Sequence, residues 1–306
     1  AIFITCTSTA KQRPEGGWLW KISGNGLSHP SYLFGTYHGT YDILYQYTDS
    51  IPELHQAFNA CSQFAGESET TSKPTPAQVG VAIKLPKDTT YADLLNKEDF
   101  HFLDSIVRQS LKSPLNKVYI KPNFLALILG EIEKGKKLVD TGYSQSQIDS
   151  MKSQVMDIAL EKKAKEKGLT IVGLEGIFDA FVSEKSNLKK EADELISDLR
   201  EDDEISPLSF VNTLSDVYRT QNMKSLIDFE VKVDSIFQTS PKLTEIGKRI
   251  REDLLKRRNL NWMNKIPELM KAQPTFIAVG VRHLPGKDGL IALLLEKGYQ
   301  VEPIGL

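Results

Sequence analysis

Short apolar segments separated by long helical stretches most limit how this 306-residue chain can fold. Segments such as LTIVGLEG (169–176) and PTFIAVGVRH (274–283) are rich in β-branched residues and contain glycine near their ends, which is typical of buried strands. Helical periodicity fills most of 88–168 and 177–271. The pattern predicts an α/β or α+β domain over 16–306, with a short central mixed sheet and these two large helical insertions.

The segments near the start of the chain predict a strand, helix and strand unit. Alternating apolar residues in 18–24 and 31–35 predict a β-hairpin across a turn rich in Gly and Asn. Residues 50–61 then predict a helix, with Ser50 as its N-cap and Pro52 in its first turn. A short buried strand is expected over 62–69.

Three further helices are predicted before residue 168, over 89–111, 121–133 and 146–168, the last of them ending at Gly168. The C-terminal segment 288–304 predicts a helix that ends at Gly298, followed by a final strand.

Charge and cysteine content exclude several classes of protein. The formal net charge is −2, and no basic tract indicates nucleic-acid binding. Cys6 and Cys61 are the only cysteines, too few for a disulfide scaffold or a thiolate zinc cluster, although one Cys6–Cys61 bridge stays open. No later segment reaches 18 continuous apolar residues, so no transmembrane helix is expected.

The N-terminal segment 1–15 is interpreted as the remnant of a secretory signal, because an apolar run is followed by Ser8, Thr9 and Ala10. A lipid-anchored Cys6 and a disordered or frayed terminus are the alternatives. We therefore expect an exported protein that is periplasmic, secreted or lipid-anchored at the cell surface.

Two histidines occupy matching positions after matching strands. SYLFGTYH and TFIAVGVRH each run from a hydroxyl residue through apolar residues into G-x-x-H, which connects Gly35 to His38 and Gly280 to His283. One such four-residue pattern has low specificity. Two copies among five histidines indicate an internal pseudo-repeat that delivers both imidazoles to one site.

Two glutamates form a second pair. FAGESE and IVGLEG each run through glycine to an acid, Glu67 and Glu175, and Glu69 is the substitute if the register differs. Ligands bind beyond the carboxyl ends of strands in open α/β sheets. His38, His283 and Glu67 would make an open site for a divalent metal ion, with Glu175 as general acid/base or a further ligand.

Charged and polar side chains near these strands are further candidates. Arg258 lies four residues from both Leu254 and Trp262 on the apolar stripe of its helix, so it points inward. It would pair with Glu175 or stabilise a developing oxyanion at the site, or else snorkel or pair with a core acid without a functional role. Arg282 lies inside the second G-x-x-H and would orient substrate or stabilise charge.

The quoted segments, together with LKRRNLNWMNKI and FIAVGVRHLPGKDGLIALLLEKGYQVEPI, resemble the TraB/GumN family, which includes the Tiki metalloproteases. The resemblance runs from Trp18 to the C-terminus. It implies a fold similar to that of the erythromycin esterases and the haem-binding ChaN proteins. It also implies an exported bacterial peptidase that favours manganese or cobalt, with zinc as a further option.

The resemblance further implies functional roles for His38, Glu67 and His283, and for Glu175 with Arg258-Asn259. Asn259 and Tyr37 are the candidate substrate contacts, with Tyr37 either supplying an extra hydroxyl or only packing. Family members often carry a glutamine after the G-L-E motif, where this chain has Asp179, Ala180 and Phe181.

Three functions are consistent with this pattern. The first is a metal-dependent hydrolase, most readily a peptidase, that acts on a peptide or small molecule outside the cytoplasm, as a monomer or oligomer. The second is an esterase-like hydrolase without metal, in which His38 acts as general base and Glu67 orients it. The third is a non-catalytic protein that binds haem or another small ligand.

Overall fold

The computed structural model describes residues 16–39, 43–69, 75–179, 187–200 and 207–305, with side chains for all of these except 207–212 and 242. The predictions for 1–15 and for Cys6 lie outside this part of the chain. None of its helices combines the length and the apolar character needed to cross a bilayer.

A six-stranded mixed sheet forms the centre of the fold, in the order β4-β3-β5-β2-β1-β6. The strands are β1 (Leu19–Ser23), β2 (Ser31–Thr36), β3 (Gln63–Gly66), β4 (Thr170–Gly173), β5 (Thr275–Gly280) and β6 (Gln300–Pro303). Strands β4, β3, β5 and β2 are parallel, while β1 pairs antiparallel with both β2 and β6. This architecture confirms the predicted α+β class, and the β1–β2 pair confirms the predicted hairpin.

The two strands of the pseudo-repeat are neighbours in the sheet. Strands β2 and β5 pair in parallel, with Gly35 opposite Val279 and Thr36 opposite Gly280. The two G-x-x-H motifs therefore begin one residue apart at the same edge of the sheet. Strands β3 and β4, which precede the glutamates, are also parallel neighbours, with Gly66 opposite Gly173.

Helices occupy most of the sequence between the strands, as predicted. They are α1 (Pro52–Asn59), α2 (Pro76–Ile83), α3 (Tyr91–Leu94), α4 (Lys97–Leu111), α5 (Pro122–Asp140), α6 (Gln145–Ser153), α7 (Met156–Glu166), α8 (Leu188–Arg200), α9 (Pro207–Arg219), α10 (Met223–Phe237), α11 (Pro241–Arg249), α12 (Arg257–Trp262), α13 (Ile266–Ala272) and α14 (Leu290–Glu296). A π-helical stretch, Ile250–Lys256, joins α11 to α12.

Two helices that the periodicity predicted as continuous are interrupted. The predicted helix over 89–111 divides into α3 and α4 because Asn96 adopts an extended conformation and caps α4 by accepting from the Asp99 N–H. The predicted helix over 146–168 divides into α6 and α7 after Ser153, which gives Asp157 a place in the first turn of α7.

Two other local predictions were wrong in detail. Ile51, rather than Ser50, is the N-cap of α1, because the Ser50 hydroxyl donates to the Tyr47 carbonyl instead. Leu254, expected on the apolar stripe, is exposed because it lies in the π-helical stretch, whose wider turn changes the side-chain register.

Two apolar clusters stabilise the fold. The larger packs the sheet against α1, α7, α10, α13 and α14, with residues such as Phe34, Phe64 and Phe276 fully buried. The smaller lies among α3, α4, α5 and α8 and includes Leu103 and Leu125. The second helical insertion therefore contributes α8 to a core made largely by the first.

Gly35 allows the turn after β5 to lie directly against β2. A Cβ on Gly35 would be 2.9 Å from Val281 Cγ2, 3.1 Å from Leu284 Cδ2 and 3.1 Å from Val281 Cα. The turn Val281–His283 can lie this close to the sheet because residue 35 is glycine. Any larger residue at position 35 would displace the turn from the sheet.

Gly35→Ala is expected to lower the free energy of unfolding by roughly 1–3 kcal/mol, the usual cost of overpacking a core. Urea unfolding followed by circular dichroism measures it. Gly130→Ala is the control, since Gly130 lies within α5 and a Cβ there meets no atom within 4 Å. A Gly35→Ala protein as stable as the wild type would show that the packing tolerates a side chain.

Candidate functional site

Four parallel strands deliver the predicted residues to one edge of the sheet. Glu67 follows β3 directly, Glu175 follows β4, His38 follows β2 and His283 ends the turn after β5. Since these strands are adjacent and run in the same direction, their carboxyl ends meet. The sequence prediction that the four residues share one edge of the sheet is confirmed.

Arg258 joins three of these four residues. Its Nε donates to both oxygens of Glu175, at 3.0 and 3.1 Å. Its Nη2 donates to Glu67 Oε2 and Glu175 Oε1, each at 2.5 Å. Its Nη1 lies 3.3 Å from His283 Nε2 and 3.5 Å from the Leu254 carbonyl oxygen.

The guanidinium of Arg258 is therefore fully engaged by the protein. All three of its nitrogens face acceptors, and the residue is 9% exposed. Of the two predicted functional roles, the pair with Glu175 is the one that the geometry describes. The buried cation positions the carboxylates and leaves no N–H directed at an external oxyanion.

Glu175 is engaged on both oxygens. Besides the contacts with Arg258, its Oε2 accepts a hydrogen bond of 3.0 Å from the indole N–H of Trp262. The guanidinium carbon of Arg258 lies 4.7 Å from the centre of the Trp262 ring. Both oxygens of Glu175, which was predicted to act as general acid/base or as a further metal ligand, therefore accept hydrogen bonds from protein groups.

His283 is held as a neutral imidazole. Its Nδ1 lies 2.7 Å from Asn259 Oδ1, while Asn259 Nδ2 donates to the carbonyl oxygens of His283 and Asp288 at 3.2 and 2.9 Å. Nδ1 thus donates to the amide, and Nε2 accepts from Arg258. Burial, with the nearby charge of Arg258, lowers the pKa of His283 to about 3.

Asn259 was predicted to contact substrate. The amide instead holds the backbone and ring of His283.

Glu67 is an ionised carboxylate at the centre of the site. Oε1 accepts a 2.7 Å hydrogen bond from the Gly280 N–H, and Oε2 accepts from Arg258. Burial by itself would raise the pKa of Glu67, but the neighbouring His283, Arg258 and His38 side chains and the Gly280 hydrogen bond lower it to about 2. Its side chain is 19% exposed and can contact a ligand.

His38 is exposed and lies over the buried cluster. A Cβ placed on Gly280 would be 3.6 Å from His38 Nε2, 3.2 Å from Glu67 Oε1 and 3.7 Å from His283 Cδ2. Glycine at this position therefore leaves room where both histidines and Glu67 converge. Gly35 and Gly280 occupy the same place in their motifs but serve packing and site access respectively.

A cavity of about 320 Å³ opens beside His38 and Glu67. Its other lining residues come from β3, the loops and helices α5 and α7; they are Phe64, Gly66, Ser68, Glu131, Lys134, Val155, Asp157 and Glu161. Lys134 Nζ donates to the Gly39 carbonyl oxygen at 3.0 Å, which links α5 to the loop of His38. The helical insertion therefore supplies much of the wall of the site.

Asp157 is a site residue that the sequence reasoning missed. The Thr36 hydroxyl donates to Asp157 Oδ1 at 2.7 Å, while Oδ2 is buried with no hydrogen-bond partner among the described residues. Burial raises the pKa of Asp157, and the charge of Glu67 raises it further, whereas the charge of His38 lowers it. The surroundings of the two carboxyl groups in this cavity thus shift their pKa values in opposite directions.

A signal for these helical residues was present in the sequence. Asp157 and Glu161 are four residues apart, so they share one face of α7, next to the apolar stripe that contains Leu160. This helix leads directly into β4, the strand that precedes Glu175.

Tyr37 and Arg282, which were also predicted to belong to the site, lie outside the cluster around Arg258. The Tyr37 ring is buried and packs against the Tyr218 ring, with a centroid distance of 5.2 Å. Arg282 forms a two-point ion pair with Glu230, at 2.5 and 2.9 Å. The structure therefore gives Tyr37 a place in the core and Arg282 a carboxylate partner outside the four strand ends.

The predicted metal ligands can be compared with this geometry. Imidazole and carboxylate groups suit a divalent ion by type. However, His283 Nε2 accepts from Arg258, and both oxygens of Glu67 already accept hydrogen bonds. Among the residues that the structure describes, no three His, Cys, Asp or Glu side chains are arranged to hold one ion. The residues as arranged do not fit a metal shared by His38, Glu67 and His283.

Comparisons with known proteins agree with the resemblance seen in the sequence. The model of the TraB/PrgY/gumN family matches residues 18–303. The chain is also similar to Metalloprotease TIKI2 of Danio rerio, with 22% identity over 332 aligned residues, 97% of this chain and 62% of that protein. The chain thus spans less than two thirds of this relative. No solved structure matches the chain.

His283 is expected to make stability depend on pH between about 6.5 and 3. The pKa is about 3 in the folded protein and near 6.5 in the unfolded chain, so the unfolded chain binds the proton first as pH falls. The contribution is complete above pH 6.5 and declines below it, by at most about 1.4 kcal/mol per pH unit.

Urea unfolding between pH 7 and pH 5 tests this expectation. Glu67 affects stability at lower pH, between its ordinary pKa and about 2, so it does not contribute to the slope between pH 7 and pH 5. His283→Gln should show a shallower decline in the free energy of unfolding, and His29→Gln, at an exposed site, should follow the wild type. Equal slopes for wild type and His283→Gln would contradict the assignment.

Proposed function

Because the chain belongs to the TraB/PrgY/gumN family, we propose that it is a hydrolase that cleaves peptide bonds with a water molecule activated by His38. Peptides are favoured as substrates because the similar zebrafish protein is described as a metalloprotease. Export from the cytoplasm, expected from residues 1–15, is part of the same proposal.

The exposure of His38 is the observation that carries this assignment. The buried side chains of the site form hydrogen bonds with one another; they are those of Arg258, Glu175, Asn259 and His283. His38 instead lines the cavity, together with Glu67 and Asp157. A general base must reach a water molecule in the cavity, and an exposed imidazole meets that requirement.

In the proposed reaction, the His38 ring accepts a proton from water while the water oxygen bonds to the carbonyl carbon of the substrate. The imidazolium then returns that proton to the leaving nitrogen as the C–N bond breaks. Glu67 places negative charge near the imidazolium and stabilises it, while Asp157 lines the same cavity. Lys134 supplies positive charge in the cavity wall for the developing oxyanion.

Arg258 acts on this reaction through Glu67. The guanidinium fixes Oε2 and keeps the carboxylate ionised, while the Gly280 N–H fixes Oε1. Glu67 therefore keeps its position and charge next to His38 through the catalytic cycle.

His38→Gln is expected to lower kcat/KM by about 10²–10⁴, the usual contribution of a general base, with the fold retained because the side chain is exposed. Internally quenched peptides and aryl esters are the substrates, and circular dichroism checks folding. His29→Gln is the matched control at another exposed histidine. Full activity in His38→Gln would refute the assignment.

A wild-type protein that hydrolyses neither library but binds haem stoichiometrically would support the ligand-binding alternative.

Hydrolysis is expected to persist in excess EDTA, because the described side chains do not form a metal site as arranged. Metal analysis of the purified protein, with activity measured before and after chelation, is the test. Loss of activity in EDTA and recovery with Mn²⁺ or Co²⁺, but not in His38→Gln or His283→Gln, would instead establish the metal-dependent mechanism that the sequence resemblance implies.

A further inference from the structure

The cavity beside His38 contains an acidic side chain that the proposed hydrolysis does not use. Asp157 lines this cavity of about 320 Å³ from the first turn of α7. The Thr36 hydroxyl donates to its Oδ1, while Oδ2 is buried and has no hydrogen-bond partner among the described residues. A buried carboxylate oxygen without a donor is costly, because burial removes its hydration and nothing replaces it. Such an atom at a cavity of ligand size indicates a group that a ligand satisfies.

The other three carboxylates that line the cavity have cations of the protein beside them. These pairs are Glu67 with Arg258, Glu131 with Lys134 and Glu161 with Lys165. Neither oxygen of Asp157 contacts a Lys or Arg nitrogen in the part of the chain that the structure describes. Asp157 is therefore the acid of this cavity whose charge the protein leaves unbalanced.

The surroundings of Asp157 favour a positively charged ligand. Burial raises the pKa of Asp157, the His38 side chain lowers it and the charge of Glu67 raises it. A cation bound in the cavity would lower this pKa and offset both unfavourable effects. Glu161 lies one turn further along the same face of α7 and adds a second carboxylate to this wall.

Asp157 lies close to the proposed general base. Its hydrogen bond comes from Thr36, the last residue of β2, and His38 follows Thr36 by two residues. Two residues of chain span at most about 7 Å. That distance is also the length of about two residues of an extended substrate. A group bound at Asp157 is thus near the bond that His38 would act on.

We propose that Asp157 binds a primary ammonium group of the substrate, within about two residues of the bond that is cut. The inference rests on the proposed hydrolase function and narrows its substrates to peptides with a free α-amino group or a lysine side chain near that bond. The three N–H donors of an ammonium group can bond to Asp157 Oδ2 and to other acceptors of the cavity at once. Asp157 is then a residue that determines specificity.

Asp157→Asn tests this assignment, because it removes the charge while the amide oxygen can still accept from the Thr36 hydroxyl. Glu166→Gln is the matched control, since it removes one carboxylate charge from the same helix at an exposed position that does not line the cavity. Removing a buried charge that has no partner should leave the free energy of unfolding unchanged or raise it. Urea unfolding at pH 7 measures this. Asp157→Ser, which is smaller, is made in parallel in case the amide disturbs the fold.

Three peptide amides of one sequence serve as probes in isothermal titration calorimetry. The reference is acetylated and has norleucine at its second residue. One test peptide has a free α-amino group instead, and the other is acetylated with lysine in place of norleucine. All proteins carry His38→Gln, so cleavage does not consume the probe.

We expect at least one ammonium peptide to bind about tenfold or more tightly than the reference, and the peptide that gains identifies the source of the ammonium group. Asp157→Asn should remove most of this preference, while Glu166→Gln should keep it. In the catalytically intact protein, Asp157→Asn should raise KM for the preferred peptide more than for the reference.

Equal affinity for all three peptides, or a preference that survives in both Asp157 variants, would overturn the assignment. A loss of stability in Asp157→Asn with the preference unchanged would overturn it in favour of a role in the fold alone. An ammonium preference without hydrolysis of any peptide would support the binding site and refute the proposed catalysis. Hydrolysis without that preference would do the reverse.

Discussion

The buried ion cluster around Arg258 is the interaction on which the candidate site depends. A guanidinium removed from water is costly unless acceptors replace the lost hydration, and Glu67, Glu175 and His283 do so here. Burial and the charge of Arg258 lower the pKa of His283, and the same charge helps to lower the pKa of Glu67. One helical cation thus contributes to the pKa shifts of two residues that arrive from separate strands.

This cluster divides the site into a closed part and an open part. The closed part consists of Arg258, Glu175 and Asn259. Their side chains form hydrogen bonds with protein groups and hold the neighbouring site residues in position. His38 and Asp157 line the cavity beside that rigid base. A fixed carboxylate under an exposed imidazole is an arrangement suited to activating water, since little reorganisation is needed when the proton moves.

The alternation of strands and helices was sufficient to predict the fold class, and the repeated G-x-x-H and strand-end glutamates were sufficient to predict which strands meet. Parallel strands leave few options for where their carboxyl ends lie. The interruption between α6 and α7 was not predictable from periodicity, because both helices continue an apolar pattern across the break. That interruption places Asp157 in the first turn of α7, at the cavity.

The sequence by itself determined the residue types and their strand-end positions, because spacing along a strand fixes where a side chain emerges. It indicated that Arg258 points inward, since i,i+4 neighbours share a helix face. Only the tertiary structure decided which polar side chains line the cavity and which form hydrogen bonds with other protein groups. That outcome depends on contacts between segments distant in sequence, such as Arg258 with Glu67, Thr36 with Asp157 and Tyr37 with Tyr218. Such contacts between distant segments produce no periodic pattern in the sequence from which they could be predicted.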